Sequence, residues 1–307
     1  MKTSLSLVLA LVMLVLAPEA VLAGNNEAEP NDTKAQANAF MLPGANTPGY
    51  LIGNSTSAAG AGLDYFRLTT AAQATAGFYR HRLIIQSATV GHTGTVRGLS
   101  QLDGVIDPAS DIEFLASSAA TTPPRFVQWY TSQAPAEIYV RITGTPATSA
   151  NYSLDYEVQL VTEIAGPVNA TQALVITTVG QTTNDTDLWV YDSNRAAIVD
   201  AGNDDEFNGP TLQSRLDRTY MPGDYHLAIS TYNTGNSLAS PLDDDFRNGN
   251  VLDFPGNIAN NVTTINQDVD SLIGPTPVTA TKVGAFDVVF VSFTVVVPVE
   301  LLEFNVE

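Results

Sequence analysis

The chain contains no cysteine among its 307 residues. This absence excludes disulfide cross-links, a lipid anchor on an N-terminal cysteine and a cysteine nucleophile. An exported protein can use disulfides to staple a small fold, and this one does not. Its stability must therefore come from a packed core, together with any metal that it binds.

Basic residues are scarce as well. Lysine and arginine number 13 against 32 aspartates and glutamates, which gives a formal net charge of −19. A charge of this sign argues against nucleic acid or an anionic lipid surface as a partner. A solvated acidic surface is one explanation, but the acids cluster in loops, which favours bound cations that offset part of the charge.

Signals of catalysis are also few. The three histidines, His81, His92 and His226, are not part of an H-E-x-x-H motif, and the chain has no G-x-S-x-G motif. His226 alternates away from the apolar positions of its strand, which predicts a surface position. Catalytic residues can also assemble from distant positions. The chain is predicted not to be an enzyme, and a cryptic secreted hydrolase, or an accessory module of one, is the alternative.

The first residues have the pattern of a secretory signal peptide. Lys2 supplies a positive charge, residues 5–16 are apolar, and residues 21–23 supply small side chains for cleavage before Gly24. The apolar run is too short for a comfortable membrane span. Residues 1–23 are therefore predicted to be a cleaved signal peptide of a secreted or cell-surface protein, with no membrane insertion after cleavage.

Apolar and polar residues alternate with the period of a β-strand. Ile138, Val140 and Ile142 alternate with polar or amphipathic residues, and residues 152–158 repeat the pattern. The connections are rich in turn-forming residues, and no long helical pattern follows the signal peptide. The predicted fold class is all-β, with two tandem antiparallel β-sandwich (jelly-roll-like) domains. The predicted division is a first domain over 24–162, a second over 163–297 with a long insertion at 232–282, and a tail over 298–307.

The start of the mature chain carries a recognisable motif. Residues 27–33 read E-A-E-P-N-D-T, and residues 62–66 read G-L-D-Y-F. Together with the strands that follow, these residues resemble the bacterial pre-peptidase C-terminal domain family over roughly residues 27–161. Gly62 stands where the family motif has its first aspartate. The resemblance implies an accessory β-sandwich module of the kind attached to secreted hydrolases, in some cases binding fibrous substrates.

That resemblance also implies a calcium site. Its ligands would be Glu27, Glu29 and Asn31, with Asp64 closing the site from the adjacent strand. A metal held there would pin the N-terminal leader to the edge of the sandwich, so its binding free energy would become local folding free energy.

The second half of the chain carries a denser group of oxygen-bearing residues. It reads N-D-T-D-L-W-V-Y-D over 184–192, N-D-D over 203–205, S-R-L over 214–216 and P-G-D-Y-H-L-A-I-S over 222–230. These landmarks resemble sandwich modules of other exported bacterial proteins. Carboxylate and amide oxygens at this density suit a hard cation, above all Ca²⁺. The candidate ligands are Asp185, Asp187, Asp192, Asn203, Asp204 and Asp205, and a solvated acidic turn is the alternative.

The predicted function follows from these parts. A secreted, calcium-binding, non-enzymatic protein would act on an extracellular polymer, on a cell-surface component or on itself. The structural alternative is a subunit that self-assembles into a filament or layer. In that case the apolar segment from Phe286 and the tail would complete the sheet of a neighbouring copy by strand addition.

Overall fold

The computed structural model describes residues 25–45, 49–54, 62–87, 92–99, 113–118, 125–144, 151–169, 171–232, 234–244 and 250–297. The predicted signal peptide and the tail over 298–307 lie outside these ranges. Within them the chain forms twenty-four strands and a single short 3₁₀ helix at Lys34–Gln36. No helix in these ranges is long and apolar enough to cross a membrane.

The strands fall into an N-terminal and a C-terminal group. The first ten are β1 (Asn25–Asn26), β2 (Asn38–Met41), β3 (Gly49–Asn54), β4 (Leu63–Thr69), β5 (Tyr79–Ser87), β6 (Thr93–Leu99), β7 (Glu113–Ser118), β8 (Arg125–Thr131), β9 (Glu137–Thr143) and β10 (Asn151–Leu160). The others are β11 (Ile164–Asn169), β12 (Ala173–Thr177), β13 (Thr186–Tyr191), β14 (Ala197–Asn203), β15 (Arg215–Thr219), β16 (Gly223–Thr231), β17 (Thr234–Asn236), β18 (Asn250–Leu252), β19 (Asn257–Asn260), β20 (Gln267–Asp268), β21 (Ser271–Ile273), β22 (Thr276–Val278), β23 (Thr281–Lys282) and β24 (Val289–Val295).

The first sandwich encloses one core between two groups of strands. One group runs β1-β3-β10-β5-β8, and the other runs β6-β9-β4-β2 with β7 also paired to β6. Strands β5, β9 and β10 direct their apolar residues inward, where Leu83, Val140 and Leu154 are fully buried. This arrangement confirms the predicted β-sandwich.

The second sandwich packs a five-stranded sheet on a four-stranded one. The strand order is β11-β24-β16-β13-β14 in the five-stranded sheet and β15-β12-β21-β22 in the four-stranded sheet. Strand β24 lies inside its sheet between β11 and β16, and its Val291, Phe293 and Val295 are buried in the shared core. Most pairings are antiparallel, as predicted, but β1 with β3, β2 with β4, β11 with β24 and β17 with β18 are parallel.

The segment expected to be an insertion in the second domain contributes to both sandwiches. Strands β17, β18 and β19 link β8 to β6 and so connect the two strand groups of the first sandwich. Leu252 and Ala259 from this stretch are buried in the first core. Strands β20 to β23 belong instead to the C-terminal sheets. We refer to the described residues of 232–260 as the excursion.

The two sandwiches share an aromatic contact. The rings of Phe78 and Phe290 stack with their centroids 4.0 Å apart. The backbone N–H of Val288 donates to the hydroxyl of Tyr130 at 3.1 Å, and Gln128 donates to the carbonyl of Phe286 at 3.1 Å. Strand β8 of the first sandwich is thus bonded to the segment that leads into β24.

Gly98 gives a test of how the excursion docks. A Cβ on Gly98 would lie 1.9 Å from the carbonyl oxygen of Val251, which belongs to β18. Because this neighbour is backbone, it cannot rotate away, so Gly98→Ala is expected to separate β18 from β6. We expect a loss of about 1–3 kcal/mol of unfolding free energy, measured by denaturant titration.

Gly223→Ala is the matched control, since its nearest neighbour would be the Tyr225 ring at 3.9 Å. Equal stability of the Gly98→Ala variant and the parent would contradict this docking of the excursion.

Candidate metal centres

Three carboxylates meet at one end of the second sandwich. Asp185 immediately precedes β13, and Asp204 and Asp205 immediately follow β14. These strands are antiparallel, with Leu188 opposite Asn203, so the start of one lies beside the end of the other. One carboxylate oxygen from each of the three aspartates lies within 4.8 Å of the others. That spacing fits ligands around a single Ca²⁺, whose bonds to oxygen are about 2.3–2.6 Å long. We call these three residues the sandwich-end triad.

The S-R-L landmark explains why the loop after β14 folds back. The hydroxyl of Ser214, which is fully buried, donates to the carbonyl of Asp204 at 2.8 Å. The next residue, Arg215, donates its backbone N–H to the Asn203 side chain at 2.5 Å. The backbone N–H of Ser214 also donates to the Thr186 hydroxyl on β13 at 3.2 Å. Ser214 and Arg215 therefore hold the loop that carries Asp204 beside the start of β13.

Asp204 is the most unusual member of the triad. Its side chain is only 2% exposed, yet neither of its carboxylate oxygens has a hydrogen-bond partner in the described structure. Oδ1 of Asp185 is also buried without a partner. A buried carboxylate that receives no hydrogen bond has lost its hydration without compensation, which is costly. A cation in the triad would supply the missing interaction.

The raised pKa values of these carboxyl groups reflect the same free-energy cost of burying an ionised carboxylate. Burial, then the neighbouring Asp244, Asp205 and Asp185, raise the pKa of Asp204 to about 8. Burial and Asp205 raise the pKa of Asp185 to about 6. Both effects disfavour the ionised form, and a bound divalent cation acts in the opposite direction.

Two further aspartates, Asp187 and Asp244, border the triad, and we call the five residues together the acidic corner. Asp187 is buried and accepts the backbone N–H of Thr234 at 2.7 Å. Asp244 is also buried, and its oxygens lie 3.3 Å and 3.4 Å from the backbone nitrogens of Asp204 and Asp205. Burial, followed by repulsion from Asp204, raises the pKa of Asp187 well above its usual value. Asp244 was not among the predicted ligands, because it lies on the excursion some forty residues from the loop it touches.

Two predicted ligands have other roles. Asp192 lies at the far end of β13, about 16 Å along the strand from Asp187. There it accepts the backbone N–H groups of Asn194 and Ala196 at 2.8 Å and 2.9 Å, which closes the hairpin turn. The Asn203 side chain is occupied by Arg215 and by the carbonyl of Asp205. The structure therefore places Asp192 outside the corner and makes Asn203 a support for the loop.

A second acidic cluster lies at the N-terminal edge of the first sandwich. Glu27, Glu29 and Asp64 each place one carboxylate oxygen within 4.8 Å of the other two. Strand β1 pairs with β3, and the carbonyl of Asn31 accepts the backbone N–H of Tyr65 at 2.8 Å, which brings the leader beside β4. All four residues implied by the motif therefore lie together.

Asn31 and Asp64 hold the inner side of this cluster. Both side chains are fully buried, and Oδ1 of each has no hydrogen-bond partner in the described residues. Asn31 uses its amide nitrogen to donate to Glu27 at 3.3 Å, which leaves its oxygen as a possible ligand. Oδ1 of Asp32 is also buried without a hydrogen-bond partner in the described residues, so Asp32 is a ligand candidate beyond those that the motif implies.

Asp64 is strongly affected by its surroundings. Burial raises its pKa to about 8, and Glu27, Glu29 and Asp32 contribute to the rise, while a hydrogen bond from the Tyr152 hydroxyl opposes it. The same bond fixes the carboxylate between β4 and β10. In both clusters, a buried aspartate at or next to a strand end lies close to two other acidic side chains.

The described hydrogen bonds of the three histidines go to residues outside both acidic clusters. His81 is fully buried between Tyr156 and Thr131, and burial lowers its pKa to about 3. His92 is within 2.7 Å of the Ser87 hydroxyl, and burial and Arg125 lower its pKa. The prediction that His226 lies at the surface is wrong. Its ring is buried because it pairs with Glu163 from the segment between the sandwiches.

Comparisons with known proteins give one named structural similarity. No family model and no curated protein matches the chain. A solved structure, the pre-peptidase C-terminal domain of collagenase from Bacillus anthracis, matches at 15% identity and a TM-score of 0.25. The match covers 40% of this chain and 96% of that one. The fold itself is established by the strand pairings of this chain.

Proposed function

We propose that this chain is a secreted, non-enzymatic protein that binds Ca²⁺ at one end of each sandwich. It would act by binding an extracellular polymer, a cell-surface component or another copy of itself. The observation that carries the metal part is the carboxylate of Asp204, which is buried with both oxygens unpartnered beside Asp185 and Asp205.

The ligand chemistry favours calcium over other cations. Both clusters offer carboxylate and amide oxygens, whereas zinc sites in proteins draw on cysteine and histidine. The chain has no cysteine, and its three histidines are engaged elsewhere. The ligands also come from loops of irregular spacing, which suits the flexible coordination of Ca²⁺ better than the strict octahedron of Mg²⁺.

A cation in each cluster would tie a loop to a neighbouring strand. In the first cluster it would tie residues 27–31, which precede the first long strands, to Asp64 on β4. In the second it would tie the loop after β14 to the start of β13. Part of the binding free energy would then appear as stability of these ends, where an extracellular partner would find an ordered surface.

The proposal that the protein is not an enzyme rests on the state of its candidate catalytic groups. His81 has no access to solvent, and its low pKa makes it a poor proton acceptor at neutral pH. The ring of His226 is held against one carboxylate oxygen of Glu163, whose other oxygen binds Arg195. These groups stabilise packed regions and are poorly placed for proton transfer to a substrate.

Calcium binding is testable by titration calorimetry of chelator-treated mature protein. We expect the parent to bind Ca²⁺, Asp204→Asn to lose binding at the second sandwich, and Asp64→Asn to lose it at the first. At a concentration a hundred times the dissociation constant, one site adds about 2.7 kcal/mol to the unfolding free energy.

Asp192→Asn is the matched control, because its side chain closes a turn and an asparagine oxygen accepts the same bonds. It should bind Ca²⁺ like the parent. If the parent shows no binding heat and melts at the same temperature in chelator and in millimolar Ca²⁺, the metal proposal is wrong.

A further inference from the structure

The excursion enters the first sandwich by way of the acidic corner of the second. It leaves β16 and meets the corner at Tyr232, whose backbone N–H donates to the carbonyl of Asp185 at 3.1 Å, and then at Thr234, whose backbone N–H donates to Asp187. Asp244 then lies against the backbone nitrogens of Asp204 and Asp205. Beyond it, β18 pairs with β6 and β19 pairs with β8. The same segment is therefore bound at the triad and completes the first sandwich.

Docking the excursion in this way brings like charges together. Asp187, Asp204 and Asp244 are each at least 94% buried, and Asp185 and Asp205 lie at the same corner. Ionised carboxylates at this spacing repel one another, and burial weakens the screening by solvent. The hydrogen bonds that Asp244 accepts must therefore compete with its repulsion from Asp204.

A cation in the triad changes that balance. The two unpartnered oxygens of Asp204 mark where it would bind, and its charge would offset the carboxylates that Asp244 approaches. On the basis of the proposed function, we infer that Ca²⁺ in the sandwich-end triad controls the docking of the excursion, and through it the closure of the first sandwich. Asp244 acts as a positioning residue, since it bonds the backbone of the ligand loop.

The inference has a reciprocal consequence. If Ca²⁺ favours the docked excursion, the docked excursion must raise the affinity for Ca²⁺ by the same factor. The metal would then link the two sandwiches without touching the first, because β17 to β19 carry the effect from one to the other.

Limited proteolysis of the mature protein tests the coupling. Cleavage sites are located by mass spectrometry, with and without millimolar Ca²⁺. In the parent, we expect cleavage within residues 234–244 and 250–260 to be at least about fivefold slower with Ca²⁺ than in chelator. In Asp244→Asn the repulsion is gone while the amide oxygen still accepts a backbone bond, so cleavage should be slow under both conditions.

Asp243→Asn is the control, because Asp243 pairs with Arg218 outside the triad. It should respond to Ca²⁺ like the parent. Calorimetry on the same samples separates the two proposals. Calcium binding to the parent with equal cleavage rates in Ca²⁺ and chelator would overturn the coupling alone. Absence of calcium binding would overturn the proposed function and the coupling with it.

Discussion

In the presence of a chelator, the mature protein is expected to lose thermal stability as the pH rises from about 4 to 8. Asp64 and Asp204 each have a pKa of about 8 in the folded protein, against 3.8 for an unperturbed aspartate. Between these values the folded state binds protons that the unfolded state has released, so raising the pH favours unfolding. Their stabilising contribution is complete below the unfolded pKa and is lost as the pH rises through the folded one.

Millimolar Ca²⁺ should remove most of this pH dependence, because it binds the ionised carboxylates and stabilises the folded state where protons no longer do. One unit of pKa difference corresponds to about 1.4 kcal/mol, so the two groups together should change the unfolding free energy by several kcal/mol. For a chain of this size that is a melting-temperature difference on the order of 10 °C at pH 8, measured by differential scanning calorimetry.

The double variant Asp64→Asn and Asp204→Asn is the informative comparison. With both carboxyls replaced by neutral amides, its melting temperature in chelator should fall less between pH 5 and 8 than that of the parent. A smaller fall remains because the pKa values of Asp185 and Asp187 are also raised by burial. Its response to Ca²⁺ should be weak. A parent protein whose stability in chelator is flat over this range would show that these aspartates are not buried as described.

The strands of the first sandwich could be predicted because their signal is local. In β10, Tyr152, Leu154 and Tyr156 are buried while Ser153 and Asp155 are partly exposed, as the alternation predicts. The pattern needs no knowledge of the partner strand, since one face of a half-buried strand must be apolar. The same reasoning failed for His226, which turns away from the apolar face but is covered by Glu163 and Phe78.

The acidic corner was predictable only in part. Asp185, Asp204 and Asp205 lie at the ends of two strands that form a hairpin, so their meeting follows from local topology. Asp192 immediately follows β13, at the end opposite Asp185, so the length of the strand keeps it away from the corner. Asp244 could not be found in this way, because its position depends on a long-range crossing of the excursion between two sandwiches.

Lys34 ties the N-terminal leader to the excursion, and its loss should be among the most destabilising single changes. Its ammonium group lies 3.0 Å from Asp253 and donates to the carbonyl of Gly98 at 3.1 Å. Both side chains of the ion pair are only 1% exposed. Lys34→Met would leave the Asp253 carboxylate buried without this counter-ion, at a cost of about 3–5 kcal/mol. Denaturant titration should show this loss, accompanied by faster hydrogen exchange of the β18 amides.

The pair itself need not be stabilising, and a double variant separates its net contribution from the cost of breaking it. Lys34→Met combined with Asp253→Leu removes both charges and keeps an apolar filling, so most of the lost stability should return. Glu137→Gln is the exposed control, since Glu137 pairs with Arg67 at the surface and should cost less than about 1 kcal/mol. Additive losses in the double variant would mean that Lys34 and Asp253 are not energetically coupled. Lys34 and Asp253 would then each contribute independently to holding the leader and the excursion in place.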